Sequence, residues 1–195
     1  MAEPRRTSRE MSREAYLEFE RQADVKHEWY RGEGFAIAGA RRDHVMISGN
    51  LAAELRASGC SVLQSDMRVW IDTAHLYTYP DVVAVCGEEQ YEDEAQTTLL
   101  NPTLIVEVLA ESTEAYDRGR KFKFYRSVSS LRDVAFVAQD WTSIDLYRKE
   151  EGRWMVVETP GDSVEFRSVG VTVSIDDIYR RVDVSDNPPP APTHP

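Results

Sequence analysis

Apolar positions recur along this chain with two different periods. From Met11 to Gln22, Tyr16, Leu17 and Phe19 form a partial helical face behind Ser12, a candidate N-cap. From Asp43 to Ala57, the positions of Val45, Ile47, Leu51, Ala52 and Leu55 fit a helical period, and Gly59 ends it. Between these helices, Glu28 to Ala38 carries Trp29, Tyr30, Phe35 and Ile37 around Gly32-Glu33-Gly34, which predicts two strands about a glycine turn. Strands then dominate: Ser61 to Ile71, Asp81 to Cys86 and Thr103 to Leu109. A further helix is predicted over Thr113 to Arg126, followed by strands at Asp133 to Ala138, Ser143 to Arg148, Trp154 to Glu158 and Val164 to Phe166. The mixed order with short antiparallel links indicates an α+β fold.

Both ends lack this patterning. Residues 1–10 hold Pro4 and three arginines without apolar periodicity, and the segment from Val184 holds five of the nine prolines. Such segments have too little to bury to order themselves, so disordered tails are expected at 1–10 and 184–195, around one domain over 11–183. Nothing resembles a secretory signal, and no run of 18 apolar residues is present to span a membrane.

Charge narrows the choice of partner. Lys plus Arg number 23 against 34 Asp plus Glu, a net charge of −11. That argues against a protein that coats nucleic acid non-specifically, which needs a basic surface, but not against one that touches it through a local patch. Cys60 and Cys86 are too few for a disulfide framework and form no CxxC pair, so a reducing cytoplasm is the natural expectation. The four histidines show no HExxH spacing, and neither a GxSxG elbow nor a P-loop occurs. Gly32-x-Gly34 lacks the third glycine of a dinucleotide fingerprint, and the acidic run from Glu88 to Glu94 reads as a solvated connection.

Two carboxylates stand out against this background. Leu104-Ile105-Val106-Glu107-Val108-Leu109 is a continuous apolar strand with one acid inside, of the kind covered on both faces. A buried carboxylate without a partner costs several kcal/mol, so Glu107 needs an ion, a proton or a hydrogen-bonding neighbour. Asp81 follows Pro80 at the mouth of a second apolar strand, where it is either a turn aspartate or a site residue. Antiparallel pairing of the two strands with aligned ends sets Asp81 near Leu109 and one step from Glu107. Two carboxylates that close repel, and a divalent cation with oxygen ligands resolves the repulsion; Mg²⁺ suits so small a set. The segment from Asp117 to Arg126 carries Arg118, Arg120, Lys121, Lys123 and Arg126 against one acid. It is either a phosphate-binding patch or a solvated helix face with an Asp117–Lys121 i,i+4 pair.

Pro80-Asp81, Glu107 in its Ile-Val-Glu-Val-Leu strand, and Lys121 on the next helix together resemble the PD-(D/E)XK nuclease superfamily. More narrowly, four segments are similar to the Uma2 family of restriction endonucleases: Lys26 to Glu33, Tyr79 to Val83, Asn101 to Leu109, and Ser112 to Gly119. The resemblance implies a restriction-endonuclease-like core, a mixed central sheet flanked by helices. It also implies Mg²⁺-dependent hydrolysis of DNA phosphodiester bonds, with Mn²⁺ as a substitute and a homodimer as the working unit. Asp81 and Glu107 would be metal ligands and Lys121 the catalytic lysine, with Lys123 as the fallback. Leu109 stands where the textual motif has its lysine, so the lysine is displaced to the helix. Arg118, Arg120 and Lys123 would meet phosphates. Glu28, His44 and Gln139 are further candidates, each with an ordinary structural role as the alternative. A contrasting reading is a catalytically silent module that keeps the nuclease fold for assembly.

Overall fold

The computed structural model describes residues 6–109, 117–157 and 161–185. Two six-stranded sheets face each other. The first contains β1 (Arg6–Glu10), β2 (His27–Tyr30), β3 (Glu33–Ala36), β5 (Arg68–Ile71), β6 (Leu76–Thr78) and β8 (Thr98–Leu99), in the order β1-β3-β2-β6-β5-β8. The second contains β4 (Ser61–Gln64), β7 (Val82–Val85), β9 (Leu104–Leu109), β10 (Asp133–Ala138), β11 (Ile144–Glu150) and β12 (Arg153–Val157), in the order β12-β11-β10-β9-β7-β4. A hairpin of β13 (Ser163–Phe166) and β14 (Val171–Ser174) forms a separate two-stranded sheet whose Val164, Phe166 and Val173 pack into the same core as α2 and the second sheet. The helices are α1 (Arg13–Gln22), α2 (Arg42–Leu55), α3 (Phe122–Tyr125, after a π-helical turn at Asp117–Lys121) and α4 (Ile175–Ile178).

Local chemistry sets most of these boundaries. The Ser12 hydroxyl accepts from the amide of Ala15, capping α1. Past α2 a single 3₁₀ turn ends at Gly59, whose φ of 74° lies in the left-handed region. The β2–β3 turn is Arg31-Gly32, with φ of 48° and 98°, a two-residue hairpin connection; Glu33 and Gly34, expected in the turn, belong to β3.

The central strands of the second sheet, β7, β9 and β10, are buried on both faces, which explains their unbroken apolar runs. Val82, Ala84, Leu104 and Val106 pack with Ile47, Leu51 and Leu55 of α2. Val83, Val85, Ile105 and Leu109 point the other way and pack with Val69, Ile71 and Leu76 of the first sheet. Side chains alternate along a strand, so Glu107 and Asp81 belong to this inter-sheet face. Strands β9 and β10 run parallel, with Glu107 opposite Phe136, and the chain between them carries α3.

Four expectations are corrected. Arg6–Glu10 is a strand paired with β3, so half of the expected N-terminal tail is part of a sheet; the other half and residues 186–195 lie outside the described residues. The predicted strand from Ser61 to Ile71 is broken at Ser65-Asp66-Met67, where the chain passes from the second sheet to the first. The helix expected from Thr113 has residues 113–116 outside the described set, and its remainder is the π turn followed by α3. Finally, Cys60 and Cys86 are joined in a disulfide, in contrast to the free thiols expected of a reducing compartment. It ties the residue before β4 to the residue after β7, two paired neighbours in which Ser61 lies opposite Val85.

The bridged residues are 26 apart in sequence. On a chain-entropy account, a loop of that length stabilises the fold by roughly 3.5 kcal/mol. Urea melts with and without reductant, and of Cys60→Ser, are expected to show a loss of about that size, with no thiol titrating in the untreated native protein. Identical melts together with two reactive thiols would show that the bond does not form.

Candidate active site

Glu107, in the middle of β9, is 4% exposed. Its Oε1 lies 3.2 Å from Lys121 Nζ and also accepts from the hydroxyl of Tyr125. Lys121 closes the π turn and Tyr125 closes α3, four residues later, so one helical face brings both to the same carboxylate. The rest of α3 fixes this face in place. Phe122 packs on Tyr147 with ring centroids 4.1 Å apart, and Phe124 packs on Tyr30 at 5.3 Å.

The same ammonium reaches the other sheet. Lys121 Nζ lies 3.3 Å from Glu28 Oε1 on β2, and that oxygen also accepts from the Thr78 hydroxyl on β6. Trp29 pairs with Tyr77 in the β2–β6 register, which puts Glu28 and Thr78 opposite each other and explains that contact.

Asp81 immediately precedes β7. Val82 pairs with Val106, so one step further along Asp81 faces Glu107 directly, rather than lying one step away as the aligned-end register suggested. Residues in such a pair have Cβ atoms roughly 5 Å apart. Asp81 Oδ2 accepts from the amide of Val108 at 2.7 Å, and Oδ1 lies 2.7 Å from His44 Nε2. His44 stands in the first turn of α2, the helix on the far face of the sheet, and reaches Asp81 around the strand end.

Of the residues singled out in the sequence, Asp81, Glu107, Lys121, Glu28 and His44 thus form one connected group. Lys123 does not join it; that side chain is exposed. Arg120 is exposed beside Lys121, with its guanidinium 5.7 Å from the Tyr30 ring centre. The side chain of Arg118 lies outside the described residues. Gln139 is buried one residue past β10; its Nε2 donates to Asp140, and its Oε1 has no hydrogen-bond partner among the described residues. Tyr125 and Thr78 were not anticipated. Tyr125 carried a signal, its i,i+4 spacing from Lys121; Thr78 carried none, because only strand register brings it to Glu28.

The donor set can be judged for a metal. Three carboxylates, Asp81, Glu107 and Glu28, gather around the one ammonium of Lys121. Among the described residues no group of three or more His, Cys, Asp or Glu side chains has metal-holding geometry, and Asp81 and Glu107 are the two opposed carboxylates. Oxygen donors in that number fit Mg²⁺, which binds through one or two carboxylates and retains water.

The fold matches known structures. The crystal structure of a putative nuclease belonging to DUF820 from Anabaena variabilis superposes with a TM-score of 0.68, covering 85% of this chain and 96% of that one at 13% identity. This defines the class as a restriction-endonuclease-like fold, with a second sheet beside the central mixed one. The model of the Uma2 family, described as "Putative restriction endonuclease", matches residues 13–176, and the chain belongs to that family. Two relatives from Synechocystis are also similar. The uncharacterized protein slr1290 is 36% identical over 177 residues, spanning 87% of this chain and 92% of its own. The uncharacterized protein sll1609 is 34% identical over 164 residues, spanning 82% and 93%. No helix among the described residues is long and apolar enough to cross a membrane.

Tyr125 offers a test of this geometry through pH. Burial, and next the adjacent Glu107, push its phenol well above the ordinary tyrosine range. Below about pH 10 the proton is held in both folded and unfolded chains. Above that, the unfolded chain releases it while the folded one keeps it, so stability present in full below pH 10 is lost as pH rises toward the folded-state value. Tyr125→Phe is expected to flatten that alkaline loss in urea melts between pH 8 and 11. At pH 8 it should cost about 1–3 kcal/mol, because Glu107 loses a donor. An unchanged alkaline slope would show that this hydroxyl is not the titrating group.

Proposed function

We propose that this protein is a Mg²⁺-dependent nuclease that hydrolyses phosphodiester bonds of DNA. The observation that carries the reading is the pair of opposed carboxylates, Asp81 and Glu107, with the Lys121 ammonium 3.2 Å from one of them at a buried sheet face. Membership of a family described as "Putative restriction endonuclease" supports it. Asp81 and Glu107 would hold the metal, which supplies Lewis-acid polarisation of a phosphoryl oxygen and an acidified water.

The chain's own residues have separable parts in this reading. Lys121 brings a compact positive charge to a phosphate lodged beside the two acids, where negative charge grows in the transition state. Tyr125 donates to Glu107 and keeps its carboxylate turned toward the inter-sheet face. His44 and the Val108 amide hold one oxygen of Asp81 each and so fix its plane. Glu28 holds Lys121 from the opposite sheet, 3.3 Å from its ammonium. Arg120 and Lys123, exposed on the same segment, would meet the backbone on either side.

Two measurements separate this reading from a silent assembly module. Calorimetry with Mg²⁺ or Mn²⁺ is expected to give binding heat that Asp81→Ala and Glu107→Gln abolish; a silent module gives none in the native protein. In single-turnover cleavage of a short DNA, Lys121→Ala should lower kcat by about 10²–10³ with little change in affinity measured in Ca²⁺. Arginine at 121 should not restore it, since a planar fork replaces a compact ammonium. Lys123→Ala should weaken binding and flatten its salt dependence while sparing the chemical step. Full activity in Lys121→Ala would remove that lysine from the mechanism.

A further inference from the structure

Next to the acidic group lies a concavity of about 370 Å³, lined by Tyr30, Arg31, Glu33, Phe35 and Arg120. Strand register explains why it adjoins the site. Glu28 pairs with Phe35 and Tyr30 pairs with Glu33 across β2–β3, so all four side chains share one face of the first sheet. Tyr30 follows Glu28 by one strand repeat, about 7 Å along the chain. Arg120 directly precedes Lys121. Two of its lining residues, Tyr30 on β2 and Arg120 on the π turn, are thus close along the chain to Glu28 and Lys121 of the acidic group.

Its chemistry differs from that of the acids. Two guanidiniums lie near the ring of Tyr30, Arg31 at 5.4 Å and Arg120 at 5.7 Å from its centre, and Phe124 meets the same ring at a tilt, with centroids 5.3 Å apart, while Tyr30 still lines the concavity. Arg31, Arg120 and Glu33 leave one net positive charge here, in a chain whose total is −11. Phe35 adds a second aromatic surface, and Glu33 is a carboxylate acceptor among them. Aromatic faces beside guanidiniums are how proteins hold unpaired bases: the base stacks, the cations meet the neighbouring phosphate, and an acid accepts from base N–H groups. A base locked in a duplex has both faces covered by its neighbours and cannot offer them to Tyr30.

We propose that this concavity receives one unpaired nucleobase of the substrate strand, next to the phosphate that Lys121 would meet beside Asp81 and Glu107. The protein then acts on single-stranded or locally unpaired DNA in preference to intact duplex. The proposal rests on the nuclease reading for its substrate, but it is tested through binding, so the two can fail separately.

The experiment measures anisotropy of a fluorescein-labelled 12-nucleotide single strand in Ca²⁺, against the blunt duplex of the same sequence and a series in which one abasic nucleotide is walked along the strand. The single strand is expected to bind more tightly than the duplex, and one abasic position is expected to weaken it by about 5- to 150-fold, the range for loss of one stacked base. Tyr30→Ala should weaken the intact strand by a similar factor and become insensitive to that abasic position, while Tyr30→Phe keeps the wild-type response. Because Tyr30 also packs on Phe124, Arg120→Ala serves as a variant on an exposed residue, and it too should reduce the preference for the single strand. Equal affinity for duplex and single strand, or an abasic series with no sensitive position, overturns the proposal, as does an unchanged response in both Tyr30→Ala and Arg120→Ala. Base-dependent binding without any cleavage in Mg²⁺ or Mn²⁺ upholds the concavity and refutes the nuclease reading. Cleavage that depends on Asp81 with base-independent binding does the reverse.

Discussion

A carboxylate inside an apolar strand is tolerated only where something answers its charge, and Glu107 organises its surroundings on that condition. Desolvation would cost it several kcal/mol if it stood alone. The reply comes from Lys121 and Tyr125, delivered by the helix that connects two parallel strands, and Lys121 is in turn held by Glu28 on the opposite sheet. The ammonium is therefore a tie between the two sheets as well as a partner for one acid. Asp81 does not share this arrangement. Sitting at a strand mouth, it is held by a backbone amide and by His44, and its exposure is greater.

Apolar patterning goes far in this chain because the central strands of the second sheet are covered on both faces. Strands β7, β9 and β10 are legible as continuous apolar runs, and Ser12 and Gly59 mark helix ends through cap chemistry that a sequence displays. The first sheet is harder to read. Its β6 has three residues and β8 has two, too short to establish a period, and β1 is polar throughout, so its membership depends on pairing with β3. Ser61 to Ile71 reads as one strand, yet its halves belong to different sheets; Ser65-Asp66, turn formers inside a turn closed by the Met67 amide on the Gln64 carbonyl, are the local sign of the crossing.

The site divides in the same manner. Asp81 and Glu107 are conspicuous because each breaks an apolar pattern, and Lys121 because it lies in a basic cluster. Their mutual placement needed the register, and an aligned-end guess missed it by two residues. Glu28 and His44 looked ordinary in the sequence, one a strand-edge acid and the other a helix-start histidine. Only the meeting of β2 with α3, and of α2 with the mouth of β7, makes them neighbours of the acids. The disulfide belongs with these non-local features: nothing around either cysteine foretells the adjacency of the two strand ends.

The contacts of the site span very different lengths of chain. Glu107 meets Lys121 and Tyr125 across 14 and 18 residues, within one strand–helix–strand unit, whereas His44 meets Asp81 across 37 and Thr78 meets Glu28 across 50. The entropy of closing a loop grows with its length, and contacts near in sequence form sooner. The carboxylate, ammonium and phenol thus form a nearly self-contained kernel whose closure costs little entropy. Glu28 and His44 carry the larger closure cost, because their places depend on the first sheet and on α2.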